Sequence, residues 1–272
     1  MALNLMYITN SPEVARIADG NGVDRIFVDL ETRGKSERQG HIDSVKSHHH
    51  RTDIDIIKKQ LKKASLLVRC NPLYEDSRDE IDEIIRRGAD IVMLPMWKSA
   101  DDARRFIDYV DGRAHTMLLL ETIGAEKALD EVLTLDGVDE IHIGLNDLHL
   151  DYKLKFLFEL LANGKVDEIT AKIRNTGMRF GFGGIAALDG GLISGRNIIA
   201  EHYRLGSEIA ILSRAFCDVS KAGSIDEIEQ TFALGVEGIR QYETELKCKS
   251  SSFFNENHQE VQRKVQEIVE KK

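Results

Sequence analysis

Short apolar runs alternate with longer amphipathic stretches along nearly the whole chain, and no Pro- or Ser-rich linker divides it. The runs are rich in Val, Ile, Leu, Phe and Met and lack clean polar alternation, as expected of strands that are buried on both faces. Eight of them are predicted strands: Leu3–Thr9, Arg25–Leu30, Leu66–Cys70, Ile91–Leu94, Thr116–Leu120, Glu140–Gly144, Arg179–Phe182 and Glu208–Leu212.

The segments between the predicted strands carry helix signals. Ser11 is a suitable N-cap before Pro12, and Asp76 precedes isoleucines at helical spacing in a segment that ends at Gly88. A longer helix is predicted from Asp226 to Leu246. Eight strand–helix units within 272 residues predict an α/β fold, namely a (β/α)8 TIM barrel with an additional C-terminal helix. An open doubly wound sheet is the alternative topology.

Two segments are longer than this architecture requires. Glu31 to Asp53 forms a polar loop after the second strand, and loops of this length in compact domains are usually functional or disordered. The tail from Lys249 onward ends in an apolar stripe at helical spacing, formed by Val261, Val265, Ile268 and Val269. We therefore expect a catalytic barrel domain over residues 1–248. Over residues 249–272 we expect a tail helix that packs on the barrel or on a neighbouring subunit.

Composition and charge exclude several classes of function. The chain has 37 basic and 46 acidic residues and a net charge of −9, which argues against a general nucleic-acid binder and against a polybasic membrane surface. The three cysteines are far apart and show no CxxC spacing, so we expect no disulfide framework and a cytoplasmic location. No signal peptide or membrane-spanning run is recognisable. The signatures of P-loop NTPases, zincins and α/β-hydrolases are absent from the sequence.

Candidate chemistry lies where the predicted strands end, because active sites of TIM barrels lie at the C-terminal strand ends. Glu121 and Asp147 follow the fifth and sixth strands, so two carboxylates are expected within reach of one divalent cation. Mg²⁺ or Mn²⁺ would accept such oxygen ligands and keep positions for water and substrate. Helix capping is the alternative role for these acidic residues.

Other polar groups follow the second, third and seventh strands. Arg69 could bind a carboxylate or stabilise an enolate oxygen, or it could form a structural ion pair with Glu31 or another carboxylate. Glu31 could contact a ligand through water or orient Arg69. Gly183 and Gly184 allow a ligand or an anion to approach the backbone, and a tight turn is the alternative.

The loop after the second strand is rich in cations and histidines. His41 is a candidate general base, since histidine titrates near neutral pH. Lys35 and Arg38 are candidates for binding a phosphate or a second carboxylate of the substrate. A solvated surface loop is the alternative, although its length and position favour a substrate lid.

These strand-end motifs resemble one known family. The ordered segments are DRIFVDLE, LLVRCNP, ADIVMLP, LLLETIGA, IHIGLNDL, FGGIA and LGSEIAILSRAF. The set resembles the HpcH/HpaI aldolase and citrate lyase β-subunit family of the phosphoenolpyruvate/pyruvate-binding barrel superfamily, over about Leu3 to Phe216. The resemblance implies that Glu121 and Asp147 bind Mg²⁺ or a similar ion. It implies that Arg69 contacts the keto-acid oxygen and that Glu31 lies in or near the outer shell of the metal.

Three departures from the family pattern are visible in the sequence. Thr32 follows Glu31, where the hydroxy-keto-acid aldolases have a Glu-His dipeptide and the citrate lyase branch has Glu-Asp. Met96 follows Pro95, where the family often has Leu-Pro-Lys. The resemblance therefore assigns no general base.

The resemblance implies a lyase that makes or breaks a carbon–carbon bond next to a pyruvate- or acetyl-derived enolate. We predict a metal-dependent lyase or aldolase that joins or splits a 2-oxo acid and an aldehyde. The loop cations suggest that the co-substrate is anionic or phosphorylated. The alternatives are enolpyruvyl or phosphoryl transfer on the same barrel, and a non-catalytic barrel subunit. The family resemblance also implies a homo-oligomer, a trimer or hexamer.

Overall fold

Eight parallel strands close into a barrel, because each strand pairs with the next in chain order and the last strand pairs with the first. The structure is a computed structural model that describes residues 2–34 and 49–271. The strands are β1 (Asn4–Ile8), β2 (Arg25–Asp29), β3 (Ser65–Arg69), β4 (Ile91–Leu94), β5 (His115–Leu120), β6 (Glu140–Ile143), β7 (Arg179–Ile185) and β8 (Ile209–Leu212). The predicted TIM barrel is confirmed, and the open sheet is excluded.

Helices separate the strands and surround the barrel. In the described part of the chain they are α1 (Pro12–Gly20), α2 (Arg51–Lys58), α3 (Ser77–Arg86), α4 (Ala100–Val110), α5 (Ile123–Val132), α6 (Leu145–Asp151), α7 (Glu159–Ala162), α8 (Lys165–Asn175), α9 (Gly195–Leu205), α10 (Ile225–Leu246) and α11 (Ser251–Glu270). Ser11 caps α1 as predicted, since its hydroxyl accepts a hydrogen bond from the Val14 N–H. Asp76 precedes α3 but makes no side-chain capping bond.

Strand alternation divides the apolar core into two layers. Residues such as Ile141 and Ile143 point outward and join the large cluster between the sheet and the helices. Residues such as Phe27, Met93 and Leu119 form a smaller, separate cluster that fills the barrel. A closed barrel of eight strands is narrow enough for side chains to fill its interior, so open space is left only near its mouths.

A buried ion network occupies the N-terminal mouth of the barrel. Arg25 forms two hydrogen bonds with the carboxylate of Glu140, at 2.5 and 2.8 Å. Arg179 approaches the same carboxylate at 2.9 Å and His115 at 3.4 Å. These residues begin β2, β5, β6 and β7, so the network lies at the end of the barrel opposite to the C-terminal strand ends.

The C-terminal helix α11 packs against α7 and α9 of the same chain. Val261 and Val265 of the apolar stripe are buried. Next to them, the buried carboxylate of Glu201 on α9 accepts hydrogen bonds from Asn257 and His258. Apolar and polar contacts together fix α11 on the barrel. Contact with a neighbouring subunit, and the trimer or hexamer, stay predictions.

Some predicted boundaries differ from the structure. The segment expected as a loop up to Asp53 ends earlier, because α2 already begins at Arg51. Strand β7 continues three residues beyond Phe182, through a register irregularity at its glycines. Among the described residues no helix is long and apolar enough to cross a membrane. Cys70, Cys217 and Cys248 are free thiols, as the sequence predicts.

Candidate active site

A cavity of about 180 Å³ opens at the C-terminal ends of the strands. Its polar walls come from the ends of β3, β5 and β6, and its apolar floor belongs to the cluster that fills the barrel. The lining side chains that carry charge or polar groups are Arg69, Glu121, His142, Asn146 and Asp147. The structure therefore brings together the candidate metal ligands and the candidate arginine.

Arg69 is held by two carboxylates beside this cavity. Its Nε and Nη2 groups each donate a 2.8 Å hydrogen bond to Asp29, and Glu31 lies 3.3 Å from Nη2. Burial lowers the pKa of Arg69, but the charges of Asp29 and Glu31 raise it well above the ordinary value. The guanidinium thus stays charged, and its Nη1 group donates neither of the two hydrogen bonds to Asp29. The sequence predicted an ion pair with Glu31 or another carboxylate, and Asp29, which it did not single out, is the main partner.

Glu121 and Asp147 line the cavity from adjacent strand ends. One oxygen of Glu121 accepts a 3.0 Å hydrogen bond from the backbone N–H of Met96, a residue with a left-handed φ of 55°. Burial, with the charges of Asp147 and Glu31, raises the pKa of Glu121 to about 8 against the opposing charge of Arg69. Asp147 lies in the first turn of α6, where an acidic side chain is also favourable for the helix.

Glycines give the backbone close access to the same cavity. A Cβ atom on Gly144 would lie 2.9 Å from both Cβ and Oε2 of Glu121, so only glycine leaves this carboxylate in place. Gly183 and Gly184 line the cavity from β7, the strand next to β6. Gly183 has a φ of 47°, and a Cβ there would lie 2.8 Å from Leu145. The pair lies within β7 at its register irregularity, and not in a turn between elements.

His142 is a polar residue of the cavity that sequence reasoning did not single out. It is 1% exposed, and neither ring nitrogen has a hydrogen-bond partner among the described residues. Burial lowers the pKa of His142 to about 4, and the nearby backbone of Gly183 only partly opposes this shift. The ring is therefore neutral at pH 7 and can donate or accept one hydrogen bond toward a ligand.

The described ends of the long loop lie beside Arg69. The Asp29 backbone N–H donates a 2.9 Å hydrogen bond to Nδ1 of His49. His49 is buried, whereas a solvated surface loop would leave it exposed. The buried Asn71 side chain accepts hydrogen bonds from the backbone of Thr32 and Arg33. The candidates Lys35, Arg38 and His41 lie outside the described residues.

Comparisons with known proteins agree with this arrangement. The family model described as HpcH/HpaI aldolase/citrate lyase matches residues 4–190. A solved HpcH/HpaI aldolase from Desulfitobacterium hafniense DCB-2 is similar to this chain with a TM-score of 0.61 at 17% identity. That match covers 88% of this chain and 93% of the other. A search of curated proteins finds no match.

A second solved structure has the same degree of similarity. It is an HpcH/HpaI aldolase/citrate lyase family protein from Burkholderia cenocepacia J2315, with a TM-score of 0.61 and 14% identity over 90% of this chain and 95% of the other. At these identities the two structures show the shared fold, whereas the family model covers more than half of the sequence. The chain therefore belongs to the HpcH/HpaI aldolase/citrate lyase family.

Proposed function

We propose that this protein is a metal-dependent carbon–carbon lyase or aldolase that acts through the enolate of a pyruvate-type 2-oxo acid. The observation that carries the proposal is the arrangement of Arg69, Glu121 and Asp147 around one cavity at the C-terminal mouth of the barrel. Membership of an aldolase and lyase family supports the reaction class. The metal, the enolate and the 2-oxo acid are the parts that we infer.

The residues present fit a hard divalent cation such as Mg²⁺ or Mn²⁺. Glu121 and Asp147 supply oxygen ligands, and the mutual repulsion that helps to raise the pKa of Glu121 is the kind that a bound cation offsets. Within residues 2–34 and 49–271 no group of three or more His, Cys, Asp or Glu residues is arranged to hold an ion. Two protein ligands leave the remaining positions to water and to the substrate. When bound, the ion would polarise the 2-oxo group as a Lewis acid.

The protein's own side chains have distinct roles in this proposal. Arg69 presents a permanent positive charge to the oxygen on which the enolate charge develops. Asp29 and Glu31 position Arg69 and keep it ionised. His142 of β6 offers a neutral hydrogen bond, and the Gly183 backbone borders the substrate on the side of β7.

Exchange of the methyl protons of pyruvate in D₂O, followed by NMR, tests the proposal. We expect exchange with the wild-type protein in Mg²⁺ or Mn²⁺ and none after chelation. Glu121→Gln and Asp147→Asn should each abolish it, because each removes a negatively charged ligand. If a wild-type protein that binds Mn²⁺ shows no exchange, the pyruvate enolate is the wrong intermediate. If it binds no divalent ion, the metal assignment is wrong.

Gly144→Ala tests the position of the Glu121 carboxylate without changing its charge. The new Cβ would displace the carboxylate, and we expect Mn²⁺ to bind about 10–100-fold more weakly, as when a group that orients a metal ligand is lost. Calorimetry or Mn²⁺ EPR measures the affinity directly. Gly20→Ala is the matched control, since a Cβ there meets nothing within 4 Å. Equal Mn²⁺ affinity of Gly144→Ala and the wild-type protein would contradict the assignment of Glu121.

A further inference from the structure

A second cavity, of about 400 Å³, lies beside the candidate active site. Arg33, Tyr74, Trp97 and Lys98 are among its lining residues. A third cavity, of about 340 Å³, is lined by Met96 and Lys98 together with Glu121 and Asp147. The second and third cavities share Met96 and Lys98, and the third cavity shares Glu121 and Asp147 with the candidate active site. We name this second cavity the outer cavity.

The outer cavity is lined by two cations and one carboxylate, so its net charge is positive. Neither Arg33 nor Lys98 forms an ion pair within the described part of the chain. The Arg33 guanidinium lies over the ring of Tyr74, 3.8 Å from its centroid. Asp102 also lines the cavity, but one of its oxygens accepts the backbone N–H groups of Lys98 and Ser99 at the start of α4. Two cations in a chain of net charge −9 therefore face one concave surface.

A buried donor without a partner marks the same place. Trp97 is 2% exposed, lines the outer cavity, and its indole N–H has no hydrogen-bond partner among the described residues. A buried N–H group without a partner is unfavourable, and a ligand oxygen would satisfy it. The unpartnered donor and the two cations point to the same kind of ligand, one with anionic oxygens.

The backbone that carries these groups is fixed to the catalytic strands. The Met96 N–H donates to Glu121, and the Thr122 hydroxyl donates to the Trp97 carbonyl at 2.8 Å. A Cβ on Gly124 would lie 2.9 Å from the Cβ of Lys98, so α5 begins in close contact with this segment. These contacts fix the position of the outer cavity relative to the candidate metal ligands.

We propose that the outer cavity binds the anionic end of the aldehyde partner, a phosphate or carboxylate separated from the reacting carbonyl by a short chain. Arg33 and Lys98 would pair with the anion, and the Trp97 N–H would donate to one of its oxygens. This inference rests on the proposed function for the identity of the ligand as a co-substrate. The binding site itself is argued from charges and burial alone.

Trp97 is the only tryptophan in the sequence, so its fluorescence reports on this cavity directly. We expect glycerol 3-phosphate to change the fluorescence of the metal-free protein saturably, and glycerol to have no effect. Pentanoate against pentanamide forms the second pair of probes and tests whether a carboxylate serves in place of a phosphate. If neither anion changes the fluorescence, the proposal is wrong. Whichever anion binds more tightly identifies the chemistry of the co-substrate.

Substitutions separate the outer cavity from general surface charge. Lys98→Met and Arg33→Gln should each weaken binding of the preferred anion about tenfold, the effect of one lost charged contact. The controls are Lys127→Met and Arg86→Gln, which remove charges of α5 and α3 that line none of the cavities described here. If a control variant weakened anion binding as much as the matching cavity variant, the binding would be non-specific attraction to surface charge, and the proposal would be wrong.

Kinetics then connect the cavity to the reaction. With pyruvate and glyceraldehyde 3-phosphate, Lys98→Met should raise KM for the aldehyde about tenfold, whereas the control Lys127→Met should leave both this KM and the exchange of pyruvate protons unchanged. With uncharged glyceraldehyde, which offers no anion to Lys98, the increase in KM should be much smaller. Anion binding without any pyruvate exchange would reject the proposed function and keep the site. Exchange without anion binding would reject the site and keep the function.

Discussion

Arg69→Met should lose nearly all exchange activity and a large part of the stability of the protein. Removing one donor to a developing oxyanion slows a reaction about 10²–10³-fold. The same change removes the ion pairs that Arg69 forms with the buried carboxylates of Asp29 and Glu31. Breaking a buried ion pair from one side costs about 3–5 kcal/mol of unfolding free energy. Pyruvate exchange by NMR and urea unfolding at pH 7 measure the two effects on the same samples.

A second variant separates the two effects of Arg69. The double variant Arg69→Met, Asp29→Asn removes one buried charge, and the new amide oxygen could still accept the Glu31 N–H as the Asp29 carboxylate does. We expect the double variant to regain most of the lost stability but none of the exchange activity. Recovery of exchange together with stability would mean that Arg69 only maintains the fold. Failure to regain stability would mean that the Asp29 pair is not the source of the loss.

The barrel was predictable from sequence because its strands are fully buried. In a strand such as β4, every residue is buried against either the helices or the barrel interior, so the segment appears as a continuous apolar run. Sequence order then places the ends of β5 and β6 side by side. For this reason Glu121 and Asp147 could be assigned to one site from the order of the strands alone. Strand ends were less certain, as β7 shows, because its glycines continue the strand through an irregularity.

The sequence reasoning missed residues that point into the barrel. In β6 the order Glu140, Ile141, His142, Ile143 places the two apolar side chains outward and the two polar side chains inward. Treating this segment as a uniformly buried strand hid the alternation, and with it His142. The main partner of Arg69 was left open, as Glu31 or another carboxylate, for a different reason. Asp29 pairs with Arg69 in the register of β2 and β3, and strand register cannot be read from either segment alone.

The N-terminal mouth of the barrel should be a major source of stability that is independent of activity. Glu140 has no exposed surface and is surrounded by Arg25, Arg179 and His115. Glu140→Gln would leave the buried guanidinium of Arg25 without its counter-charge, and we expect a loss of about 3–5 kcal/mol in the free energy of unfolding. Pyruvate exchange by the folded variant should equal that of the wild-type protein. The ion network lies at the N-terminal ends of the strands, whereas the candidate active site lies at their C-terminal ends.

The pH dependence of this loss identifies the charge of Glu140 as its cause. Burial raises the pKa of Glu140, but the hydrogen bonds and charges of Arg25 and His115 lower it further, to about 2. Because the pKa of Glu140 is lower in the folded protein, its charge stabilises the fold fully above the pKa of the unfolded state, near 4.5. This stabilisation is lost as the pH falls toward 2. The difference in unfolding free energy between wild type and Glu140→Gln, from urea titrations between pH 3 and 7, should therefore shrink below about pH 4.5.

A difference that stays constant over this range would assign the loss to packing, and the double variant Arg25→Met, Glu140→Gln should then remain as unstable as the single one. If the charge is the cause, the double variant should regain most of the stability at pH 7, because no buried ion is left unpaired in the Arg25–Glu140 contact.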